Sequence, residues 1–196
     1  SQQRFTYLST SEAAEQQWQI PVHIRITTSG TTEHRRLLLK DRETRVSLSK
    51  GVPHLYVNED GHGFYRVRYE APLLQRLLDS GVDRLAPSER FCLVSDVWAT
   101  TVSGLTPLSD YLRLTGHFVW ERDKNVWAVL LDSFSFLNRI IPDADRPVLE
   151  AFVRARLAPA VRELGWAPQL GDDELVRQLR GELIGALGRL GNDPAV

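Results

Sequence analysis

An α+β protein, with a small N-terminal β-sandwich followed by an α-helical domain, is what the sequence predicts. Three observations carry that expectation. Apolar residues alternate one by one in the first third, their spacing lengthens to three or four after Ala71-Pro72, and the later helical periods end near glycines.

In the first third, Val22, Ile24 and Ile26 alternate with His23, Arg25 and Thr27, a period of two that turns one strand face inward. Thr28-Ser29-Gly30 supplies turn chemistry before a strand over residues 36–40, and Val46, Leu48, Leu55 and Val57 continue the short-strand pattern. Asn58-Glu59-Asp60-Gly61 breaks it. Residues 63–69 then read as a further strand, because Phe64, Val67 and Tyr69 suit a pleated surface.

Beyond Pro72, Leu73, Leu74, Leu77 and Leu78 line one side of a helix. Pro87 and Pro107 suit first helical turns, where a missing N–H has no intrahelical partner to lose. Gly81 and Gly104 are expected stops, and Thr106 is a candidate N-cap. Further helices are expected over residues 125–140, 148–164 and 175–190, the last two ending near Gly165 and Gly191. In the last of these Leu175, Leu179, Leu183 and Leu187 form one apolar stripe. Six antiparallel helices in pairs suit the beginning of a HEAT- or armadillo-like solenoid, although no repeat of fixed sequence period occurs. The expected division is a β-sandwich domain over residues 1–70 and the beginning of an α-helical C-terminal domain over residues 71–196.

Composition narrows the function classes. Hydrophobic residues at 42% and charged residues at 25% are ordinary for a globular protein of one or two domains. With 24 basic and 25 acidic residues the chain lacks the field of a nucleic-acid binder, and no apolar run approaches the length of a membrane span. Cys92 is the single cysteine and no Asn-x-Ser/Thr acceptor occurs, so the cytoplasm is the default compartment. A start at Ser1-Gln2-Gln3 and the lack of methionine read as an excised segment, and lysine only at Lys40, Lys50 and Lys124 beside many arginines suggests a GC-rich bacterial source.

Several segments together carry a resemblance. Arg4-Phe5 followed by Trp18-Gln19-Ile20-Pro21-Val22, then Val57-Asn58, Gly63-Phe64-Tyr65-Arg66-Val67 and Tyr69, resemble in order the β-sandwich domain that follows the catalytic domain in the aminopeptidase N and puromycin-sensitive aminopeptidase family. Glu89-Arg90 and Asp96 resemble the Asp-Arg and Asp of that family's first C-terminal helices, with glutamate in place of the usual aspartate. Glu121, Trp127, Leu164-Gly165-Trp166 and Leu190-Gly191 continue the likeness.

The resemblance implies a parent that removes N-terminal amino acids from peptides with zinc held upstream, by a His-Glu-x-x-His helix and a second glutamate beside a Gly-x-Met-Glu-Asn motif. Neither motif occurs here, and no pair among His23, His34, His54, His62 and His117 has the spacing of four that zinc ligands on one helical face need. No catalytic, metal or cofactor-binding residue is therefore expected in this segment. The residues matching the family motifs, Trp18, Pro21, Gly63, Phe64, Tyr65, Arg66, Arg90, Asp96, Gly165 and Trp166, are expected to be architectural.

Among other features, Arg66 and Arg68 are expected to share a strand face as solvated or paired charges, and Cys92 to be an inert thiol. Trp18, Trp98, Trp120, Trp127 and Trp166 are expected to fill the core rather than stack on a ligand. The implied role is a linker sandwich and helical wall that shape and enclose the active-site chamber. The implied partner is the catalytic domain of the same parent chain, with peptide substrates reached through it; neither nucleic acid nor membrane is expected. An autonomous α-solenoid module that binds another protein is the alternative.

Overall fold

A computed structural model describes residues 1–7, 16–28, 31–48 and 54–196, with the backbone alone at Ser80. The turn expected at Ser29-Gly30 lies outside these residues. The chain divides into two compact units, Ser1–Tyr111 and Leu112–Val196.

In the first unit three antiparallel strands form one sheet in the order β2-β1-β3, with β1 spanning Ile20–Thr27, β2 Thr32–Leu39 and β3 His54–Val57. The register runs from Ile20 opposite Leu39 to Thr27 opposite Thr32, and from Ile24 opposite Val57 to Thr27 opposite His54. Because side chains alternate across a strand, this register gathers Val22, Ile24, Ile26 and Leu39 on one face, with Leu37, Leu55 and Val57 packed against them. Pro21 falls where β1 pairs with β2 alone, a place that tolerates a residue without an N–H.

Two expected strands are absent from the described sheet. Val46 and Leu48 lie in irregular chain, and residues 63–69 form a bend followed by irregular chain without a ladder, so the expected sandwich is a single three-stranded sheet among the described residues. The reason is visible in the second segment: side chains, rather than a neighbouring strand, accept its N–H groups. Gly63 donates to Asn58 Oδ1 and Val67 to Asp96 Oδ2.

Helical structure begins at Ala71, where the apolar spacing changes. Helix α1 (Ala71–Gly81) has proline in its first turn and buries Leu74, Leu77 and Leu78. It packs on β3 and stops at Gly81, whose φ of 146° is open only to glycine, before a 3-10 turn over Val82–Arg84. Helix α2 (Pro87–Val102) buries Leu93, Val94 and Val97, and the chain turns at Gly104 with φ 76°. Helix α3 (Leu108–Thr115) contributes Tyr111 at the end of the first unit, its ring tilted against Trp98 with centres 4.8 Å apart. The Thr106 hydroxyl donates to Thr100 Oγ1.

The second unit holds the end of α3 and helices α4 (Lys124–Ile140), α5 (Arg146–Leu164) and α6 (Glu174–Arg189). Trp127, Leu130, Phe134, Val153, Leu157 and Leu183 fill its core, and Phe134 meets Phe152 edge to face at 5.8 Å. Asp123 caps α4 by accepting the N–H groups of Asn125 and Val126, Asp173 caps α6 through Val176, and Gly165 with φ 71° ends α5. The leucine stripe of α6 is buried at Leu179, Leu183 and Leu187 but 61% exposed at Leu175, in the first turn. Among the described residues no helix is long and apolar enough to cross a membrane.

Candidate functional site

The motif residues of the first unit meet where β3, the irregular segment after it and α2 come together. Asn58 adopts the left-handed conformation, φ 68°, which turns the chain out of β3. Its amide then clamps Gly63 from both sides: Oδ1 accepts the Gly63 N–H at 2.7 Å and Nδ2 donates to the Gly63 carbonyl at 3.1 Å. Tyr65 lies so close that a Cβ on Gly63 would sit 2.0 Å from its ring. Phe64, between them, is fully exposed.

Arg66 and Val67 reach α2. The Asp96 carboxylate accepts Val67 N–H at 2.9 Å and Arg66 Nη1 at 3.2 Å, and the guanidinium lies 5.3 Å from the centre of the Phe5 ring. Asp96 is buried, which pushes its carboxyl up to about 6 despite the opposing pull of Val67 N–H and Arg66. Tyr69 accepts the Val57 N–H at 2.8 Å, and burial pushes its phenol up. The segment over residues 63–69 is thus fastened to β3 and α2 by side chains.

A second node centres on Glu89, which is wholly buried. It takes Arg25 of β1 in a bidentate pair at 2.9 and 2.7 Å, and accepts the N–H groups of Asp60 at 3.1 Å and Ala86 at 2.9 Å. Ala86 has no side-chain oxygen, so only the glutamate half of a capping box exists at the start of α2. Tyr56 of β3 donates to the Glu89 carbonyl at 2.9 Å. The face of β1 opposite its apolar residues is therefore tied to α2 by charge. The sequence marked Glu89 only as a family likeness; its position three residues after Ala86 was the available signal, whereas nothing local identified Arg25 as its partner.

Arg90 donates to the Leu85 carbonyl at 2.6 Å, and Trp18 is held by Gln2, which accepts its N–H and donates to its carbonyl. In the second unit Glu121, wholly buried, accepts the N–H groups of Arg122 and Asp123, and its carbonyl receives the Trp127 indole N–H. Gly165 and Trp166 form the start of the connection after α5.

The tryptophan expectation needs correction. Trp127 is buried and Trp98 half-buried, but Trp18, Trp120 and Trp166 are 42%, 38% and 54% exposed. Trp18 and Trp166 lie outside helices and strands, where fewer neighbours close over a large ring.

The chemistry on offer is limited. Cys92 is half-buried, and burial together with the nearby Asp96 and Glu89 carboxylates pushes its thiol up, away from the nucleophilic form. His23 and His62 approach with ring centres 6.4 Å apart, and His34 pairs with Glu59. Among the described residues, no three His, Cys, Asp or Glu groups gather as a ligand set.

Residues 55–196 match the family described as the ERAP1-like C-terminal domain. Puromycin-sensitive aminopeptidase of Caenorhabditis elegans is 25% identical over 201 residues, covering 100% of this chain and 21% of its own length. Aminopeptidase M1-C of Oryza sativa subsp. japonica is 29% identical over 196 residues, with 91% and 22% covered. Glutamyl aminopeptidase of Rattus norvegicus is 27% identical over 187 residues, with 91% and 19% covered. The chain spans about a fifth of the length of these curated relatives. With the family match beginning in β3 and running through all six helices, the protein belongs to the ERAP1-like C-terminal domain family, a C-terminal segment of aminopeptidases.

Proposed function

We propose that this segment serves an aminopeptidase as a linker and wall: residues 1–70 belong to the sandwich domain beside the catalytic domain, and residues 71–196 open the helical domain that encloses the peptide chamber. The parent removes N-terminal amino acids from peptides, with zinc held by residues outside this chain. The observation that carries the reading is that the chain aligns with aminopeptidases along 91–100% of itself while spanning about a fifth of them. Its buried charges support an architectural role: Glu89 and Asp96 fasten one element to the next, and Glu121 holds the turn that leads into α4.

The physical contribution is exclusion of water and limits on access, since a partly enclosed site strengthens electrostatic interactions and restricts what can enter. Exposed Trp18, Phe64 and Trp166 are available to pack against the rest of the parent. The test is a parent truncated from Trp18 onward, compared with the intact enzyme at saturating zinc. Lower thermal stability, or a changed ratio of kcat/KM between short and long peptides, is expected. Equal stability and an equal length profile would remove the enclosure role.

A further inference from the structure

We propose that a cavity between the sheet and the end of α1 binds a small oxyanion, a phosphate or a short carboxylate. The cavity, about 320 Å³, lies within the first unit, near the lower end of the roughly 300–1,000 Å³ typical of small-molecule sites.

Its polar wall follows from strand register. Thr27 of β1 stands opposite Thr32 of β2 on one side and His54 of β3 on the other, and directly opposed residues share a sheet face. One row across the sheet therefore carries two hydroxyls and an imidazole. The next row on that face brings Arg25 beside Tyr56. The facing wall comes from Leu77, Gly81, Arg84 and Leu85. Arg84 folds back onto the end of α1, where a Cβ on Gly81 would meet its Cδ at 3.0 Å.

The charge of this lining points to an anion. Among the described residues no carboxylate lines the cavity, while Arg25, Arg84 and His54 do. Arg25 is already committed to two carboxylates, Glu89 and, at 3.5 Å, Glu59, so the free charge is that of Arg84. Among the described residues Arg84 makes neither an ion pair nor a side-chain hydrogen bond, so its planar set of donors, shaped for carboxylate or phosphate oxygens, is open. Thr27 and Thr32 add hydroxyl donors for the remaining oxygens. The small volume and the apolar floor at Leu77 and Leu85 favour a compact anion over an extended polymer.

The experiment titrates the 196-residue chain with inorganic phosphate and, separately, with succinate, each at ionic strength matched with sodium chloride, following heat and the unfolding midpoint. Saturable binding of at least one is expected, and the arm that responds identifies phosphate or carboxylate as the source. Arg84→Gln should weaken it by about ten- to a hundredfold, as loss of a charged hydrogen bond does, and Thr27→Val by roughly three- to tenfold. Arg45→Gln, at a side chain 94% exposed and outside the cavity, should leave it unchanged. Because Arg84 is exposed, the ligand-free midpoint of its variant should match the parent chain, separating lost binding from lost folding. No saturable binding of either anion, or equal affinity in Arg84→Gln and Arg45→Gln, would overturn the proposal.

Discussion

A methyl group at Gly63 would have to displace the Tyr65 ring and press on an Asn58 amide held by two hydrogen bonds, at 2.0 and 2.7 Å from the new carbon. Gly63→Ala should therefore destabilise the chain by about 1–3 kcal/mol in urea unfolding, the usual range for overpacking. Gly181→Ala is the contrast: it sits inside α6 with nothing within 4 Å, so it should stabilise by up to about 1 kcal/mol. Asp96 makes a different prediction, in pH. Its folded carboxyl is pushed from 3.8 up to about 6, chiefly by burial, so the folded state holds the proton more tightly than the unfolded chain. The stability from this group is full below its unfolded value and lost as pH rises to about 6, a change of at most roughly 3 kcal/mol. Stability of Asp96→Asn should lack that decline, and parallel pH profiles for the two proteins between these values would refute the burial argument. Gly63 was legible as part of a motif, but its steric reason needed the Tyr65 ring in position.

At the scale of elements, Glu89 joins three pieces of chain: β1 through Arg25, the turn after β3 through Asp60, and the start of α2 through Ala86. Removing it leaves the guanidinium with Glu59 alone, at 3.5 Å, and strands two N–H groups. Glu89→Ala should cost about 2–4 kcal/mol, somewhat below the worst buried pairs because the Arg25 side chain remains 21% exposed. Arg25→Ala combined with Glu89→Ala should cost at least about 1 kcal/mol less than the two single losses added together, measured as a double-mutant cycle in urea. Simple additivity would mean that the pair contributes nothing as a pair. Helices were the more legible elements: α4, α5 and α6 begin and end within two residues of the expected spans, because caps and apolar period are local signals. Residues 63–69 were misread as a strand. Their exposure alternates as a strand's does, but strand identity requires a partner, and here side chains replace it.

For the whole molecule, the purified chain is expected to hold no stoichiometric zinc by metal analysis and to hydrolyse no chromogenic aminoacyl substrate; one tightly bound zinc per chain, or turnover lost on changing a histidine, would overturn that expectation. Composition, apolar period and turn residues are properties of short windows, so the sequence by itself determined the α+β class, the change to helix at Ala71 and the family likeness. What depends on residues far apart in the chain was decided only by tertiary structure. Arg25 meets Glu89 across 64 positions, Tyr56 meets the same residue across 33, and Arg66 reaches Asp96 across 30. Exposure was decided there too: Trp127 and Trp166 are the same residue type, yet one is sealed in the core and the other half open. The physical reason is that burial of a side chain and pairing of a charge depend on which distant surfaces close over it, and local sequence spacing carries no record of that closure.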